Sequence, residues 1–217
     1  MFRKLLYKEF KLAAHPTTYL FLAFAPMMLI PSYPYYVQFL YVCMSLFFIF
    51  LTGNENRDVF YTVMLPVRKR DVVKARCLML AIIELVQIIL SIPFAILSIR
   101  VLPGGTNQAG IDANLALYGF IFGLFAVFNL IFIPAFYRTA YKVGIPFLLA
   151  GLAVVVYYMV VESLIWIPSP AREFLNTTDP GMMIKHLPIL IGGIALWVLI
   201  WFLAYKRGAD NFEKVDL

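Results

Sequence analysis

Long apolar runs separated by short charged clusters dominate the chain. No Asp, Glu, Lys or Arg occurs between Lys11 and Glu55, a stretch of 43 residues. As one helix it would extend about 65 Å, twice the roughly 30 Å hydrocarbon core of a bilayer. The run must therefore turn back. Pro31-Ser32-Tyr33-Pro34 supplies the turn, because two prolines so close cannot sit comfortably inside one helix and tyrosines suit the interface. The pattern predicts a helical hairpin over 16–31 and 35–53. Further apolar runs predict spans at 77–99, with Glu84 its only charge, 113–137, 143–166, with Glu162 near its end, and 187–205. The fold class that follows is an all-α polytopic membrane protein of six transmembrane helices in a single domain over 1–217.

Composition agrees: 63% of residues are hydrophobic and 14% charged, too little polarity to cover a water-soluble core. The net charge of +6 lies beside the apolar runs, so membrane topology explains it better than nucleic acid. With the N-terminus inside, 15 basic residues fall on the cytoplasmic side and only Arg100, Arg172 and Lys185 on the other. This bias places both termini in the cytoplasm, at the plasma membrane. Ala23-Phe24-Ala25 imitates a signal cleavage site, but Pro26 follows and the apolar run continues, so a retained first span is expected.

Residues 1–13 read as an amphipathic helix. Phe2, Leu5, Leu6 and Phe10 form its apolar stripe, and basic residues surround it, as in an interfacial anchor held by membrane lipid. The loop Gly53–Arg76 has its own helical pattern. Asn54 or Asn56 would cap it, Glu55 and Asp58 suit its first turn, and Val59, Phe60, Val63 and Met64 share a face that Pro66 ends. Such a helix suits docking in a groove on a soluble partner, and equally suits an interfacial helix that fixes topology.

Candidate path residues lie within the spans. Glu84, with Gln87 three residues on, must face protein or water, and structural, substrate-binding and proton-relay roles are all open. Asn129 is a candidate for hydrogen bonding across helices, and Glu162 lies where water reaches it. Gly119 and Gly123 make a small-residue face for close helix packing, within the subunit or between copies. Pro26, Pro93, Pro134 and Pro146 are candidate kinks, and the loop 167–185, with Pro168, Pro170 and Pro180, is a candidate re-entrant segment. Cys43 and Cys77 fall at different depths and read as small apolar residues, and the two histidines fall on opposite sides, unable to share a metal. Gly105 and Gly110 have the spacing of a phosphate loop, but Ile111 and Asp112 stand where Lys and Ser/Thr are required. The chain is thus expected to be no enzyme, with any ATP hydrolysis supplied by another polypeptide.

The segment Leu65-Pro66-Val67-Arg68-Lys69-Arg70-Asp71-Val72-Val73-Lys74-Ala75, placed after the second span, resembles the "L-P-V-x-R-x-D-I-V-x-x-K" segment of ABC type-2 exporter permeases. The likeness extends to Asn54-Glu55-Asn56 and to the whole six-span layout, and is nearest to small stand-alone permeases of the phenol-soluble-modulin-exporter type. It implies a pair of permease subunits, most simply a homodimer, each docked on a separate ATP-binding-cassette subunit that holds ATP and magnesium. The helix at 55–65 would then be the coupling helix, with Glu55, Asp58, Val59, Phe60, Val63, Met64, Leu65, Pro66, Arg68, Arg70 and Asp71 as the coupling set. Glu84, Gln87, Asn129 and Glu162 would belong to a path for an apolar or amphipathic cargo, such as cytotoxic peptide. Arg68 departs from the family, where Ser is common. Two rival classes are a non-transporting immunity or sensor subunit and a proton-coupled transporter using Glu84.

Overall fold

A computed structural model describes residues 2–102, 107–167 and 170–215, and these are all helical or irregular, without strands. Pro168 and Gly105 lie outside the described residues. Helix α1 (Phe2–Lys8) runs into a π-turn over Glu9–Ala13, and α2 (Pro16–Leu22) into a 3-10 turn over Ala25–Leu29. Then come α3 (Val37–Glu55), α4 (Asp58–Val63), α5 (Lys69–Val101), α6 (Leu115–Tyr137) and α7 (Gly144–Trp166). Two short helices, α8 (Pro170–Leu175) and α9 (Pro180–Met183), precede α10 (Leu187–Glu213).

Among the described residues, five helices are long and apolar enough to cross a membrane: α3, α5, α6, α7 and α10 with the turn before it. The first expected span is different. It breaks after Leu22, and the segment Phe2–Ala13 meets Pro16–Leu29 at a bend of 84°. Pro26 is the physical reason for the break after Leu22, since it has no N–H for the Leu22 carbonyl and its ring crowds that carbonyl, whereas the bend falls earlier, at Ala14-His15 before Pro16. As ideal helix, Pro16–Leu29 would reach only about 21 Å, short of a roughly 30 Å core. Six spans result only if this bent pair counts as one. Pro93 and Pro134, by contrast, sit inside unbroken helices.

The loops gather at two ends. The Gln108 N–H donates to the Pro31 carbonyl at 3.1 Å, joining the hairpin turn to the loop after α5. At the opposite end Arg70 bonds Asp210 and Glu213 at 2.9 and 2.7 Å, tying the start of α5 to the end of α10. These last contacts explain why α5 begins at Lys69 and α10 continues to Glu213, beyond the expected spans 77–99 and 187–205.

Helix α6 is the most buried of the five and forms the centre of the bundle. It approaches α10 where Gly119 faces Gly193, so closely that a Cβ on Gly193 would overlap the Gly119 backbone. Gly123, one turn on, receives the Tyr157 ring of α7. The small-residue face thus serves packing inside the subunit. The N-terminal segment also departs from expectation. Leu5 is buried, and Leu6 and Phe10 pack against the protein core, leaving Arg3, Lys4, Tyr7 and Lys11 exposed. Its apolar stripe faces protein rather than lipid.

Candidate functional site: a charge knot beneath an exposed helical loop

Helix α3 continues through Glu55, and the chain then turns sharply because Arg57 adopts a left-handed conformation (φ 51°). Neither Asn54 nor Asn56 caps α4, because Arg57 occupies the cap position and makes no side-chain bond there. Helix α4 ends at Val63 and is followed by exposed Met64, Leu65 and Pro66. Arg68 stands at the N-cap of α5 without capping it, and its guanidinium instead donates to Asp71 at 2.8 Å.

The expected apolar face of α4 is divided between two surroundings. Val59 and Val63 pack against the core, whereas Phe60, Tyr61, Met64 and Leu65 are exposed. The Phe60 and Tyr61 rings meet edge to face at 6.1 Å. Exposed apolar and aromatic side chains cluster here at the end that carries both termini.

Beneath them lies a knot of four charges. Arg76 of α5 is buried and ion-paired with Glu9 and with Asp58. Lys8 completes the set, 3.0 Å from Glu9 and 2.6 Å from Asp58, and donates to the Thr62 hydroxyl at 2.9 Å. The Arg76 guanidinium also stacks over the Phe50 ring of α3, 5.4 Å from its centroid. One cation therefore ties the N-terminal segment, α4, α3 and α5 together. Burial works against the charged form of Asp58, but Arg76 and Lys8 outweigh it and hold the carboxyl below its ordinary range. Glu9, wholly buried, fits because its π-turn directs it inward with Leu5 and Ala13.

From the knot a polar stripe continues along α5. Arg76, Glu84, Gln87, Ser91 and Ser98 are all buried, and their spacing places them on one face. Glu84 is the node of this stripe. It accepts from Asn129 Nδ2 at 2.8 Å, Trp197 Nε1 at 2.7 Å and Trp201 Nε1 at 3.1 Å. Gln87 bonds Gln38 of α3 at 3.3 Å, and the Ser91 and Tyr118 hydroxyls are 3.1 Å apart.

Of the expected path residues, Glu84 and Asn129 therefore meet directly, and Gln87 lies one turn away. Glu162 is elsewhere, at the far end of α7, with its carboxylate against Gly110. Sequence reading passed over Glu9, Lys8, Arg76, Tyr61, Trp197 and Trp201. Signals for two of these features existed: Glu9 is the sole acid on the apolar side of a basic helix, and the two tryptophans stand one turn apart in an uncharged run.

No curated protein and no solved structure matches the chain. The sequence profile of a family described as ABC-2 family transporter proteins matches residues 4–207, nearly the whole length, and so takes in α4, the four charges of the knot, α3, α5, α6 and α7, and most of α1 and α10. The chain belongs to the ABC-2 family transporter proteins, and is a membrane permease component of an ABC transporter.

Proposed function

We propose that this permease serves an exporter and receives its driving force at α4 from a separate ATP-binding-cassette subunit. The observation that carries the reading is the exposed cluster of Phe60, Tyr61, Met64 and Leu65, held on a buried charge knot rather than on a loose loop. A docking surface must be apolar enough to bind and stiff enough to transmit force. The exposed side chains supply the first property, and the ion pairs to α5 the second.

In this reading both termini and α4 are cytoplasmic, as the excess of basic residues at that end favours. ATP and magnesium reside on the partner, and two copies of the permease pair around or beside the path. Binding of ATP would draw α4 with its partner, and the knot would pass the displacement to α5, which carries Glu84 on its buried face. Work is done only if each nucleotide state favours a different arrangement of the helices. The cargo is apolar or amphipathic, and the likeness to small peptide exporters makes cytotoxic peptides the class to test first.

Co-purification tests the proposal. The parent chain should bring down an ATPase encoded beside it, and the double variant Phe60→Asp, Met64→Asp should not. A complex that survives both substitutions would remove α4 from the contact.

A further inference from the structure

A cavity of about 400 Å³ lies between α5, α6 and α10 at the end opposite the termini. Ile92, Ile96 and Ile99 form one wall, Leu190 and Ile194 the other, and Phe122 lies at its deepest level. Ile92 and Ile96 are exposed, so the cavity is open sideways, where lipid would be. From Ile88 to Ile99 it follows α5 for about 16 Å, close to half of a roughly 30 Å core and therefore to the depth of one leaflet.

Two cations stand next to the lining in the chain: Arg100 directly follows Ile99 and lies one turn beyond Ile96, and Lys185 lies two residues after Met183. Both are exposed. Basic residues are scarce at this end, only Arg100, Arg172 and Lys185, yet two of the three adjoin this one cavity.

We propose that the cavity holds one acyl chain of an anionic phospholipid, in the leaflet opposite the termini, with its phosphate between Arg100 and Lys185. The apolar walls take the chain, and the two cations select the headgroup. The lipid would abut the Glu84 node. The Phe122 ring contacts the Trp197 ring edge to face at 5.7 Å, and Trp197 donates to Glu84.

That contact supplies a reporter. The chain alone, carrying Trp166→Phe to remove the exposed tryptophan, is placed in nanodiscs. Its emission is read with acyl-brominated phosphatidylglycerol or phosphatidylcholine. Brominated phosphatidylglycerol should quench more strongly. Arg100→Gln with Lys185→Gln should abolish the difference, and Ala95→Phe, which fills the cavity, should reduce quenching by both lipids. Equal quenching by the two lipids, or a preference that survives loss of both cations, would overturn the proposal. So would disulfide formation between two copies carrying Ile96→Cys, which would assign the cavity to a subunit interface. If Ala95→Phe does not fold, the two exposed cations still decide. No ATPase enters the experiment, so its failure is separate from that of the exporter reading.

Discussion

Arg76 is the residue on which the end of the structure that carries both termini depends. A guanidinium buried this deeply persists only with compensating charge, and Glu9 and Asp58 provide it. Removing one partner leaves the other charges buried and unbalanced. Glu9→Gln is therefore expected to cost about 3 kcal/mol, seen as earlier thermal aggregation in detergent, while joint replacement of Glu9 and Arg76 by apolar residues should cost less. Titration adds a sign. Asp58 has a lowered carboxyl pKa, so its contribution is full at neutral pH and is lost only as pH falls through that lowered value. Protease protection of α4 should thus be constant from about pH 8 to about pH 5, and fall only below the usual aspartate value of about 4. Loss of protection near neutrality would show that the knot does not hold the helix. At Glu84, Asn129→Ala removes one of three donors and should cost about 1.5–3 kcal/mol in the same thermal assay.

Helix contacts decide how these residues meet. The α6–α10 crossing exists because Gly119 and Gly193 let two backbones touch, and it is this crossing that brings Trp197 and Trp201 to Glu84. Gly193→Val should separate the helices and shift tryptophan emission as the indoles lose their partner, whereas Gly192→Val, with open space around it, should not. The same elements show what the sequence made legible. Long uncharged runs with turn prolines between them located α3, α6 and α7 closely, because burial in lipid leaves a compositional signature. The start of α5 and the end of α10 run past the expected spans, because Arg70, Asp210 and Glu213 look like loop charges until the two helix ends are seen to pair. The N-terminal stripe was assigned to lipid for a similar reason. An apolar helical face reads alike whether lipid or protein covers it, and only buried Glu9 distinguishes the two. Phe60 and Met64 were legible as part of an apolar helical face, but Val59 and Val63 on the same pattern turn inward.

For the whole molecule, the two ends divide the labour. The end with both termini gathers α1, α4, the charge knot and the salt bridges between α5 and α10. The other end carries the loops joined through Gln108 and Pro31 and the laterally open cavity. Helix α5 connects them and carries Arg76, Glu84, Gln87, Ser91 and Ser98 on its buried side, and in the proposed coupling a displacement at α4 would travel along this helix. The most direct measurement of this account is a photo-crosslinking residue at Tyr61 in the permease, co-expressed with a candidate ATP-binding-cassette subunit. The account predicts a crosslink to the ATPase subunit whose yield changes with ATP. Crosslinking to lipid alone, with the complex otherwise intact, would contradict it.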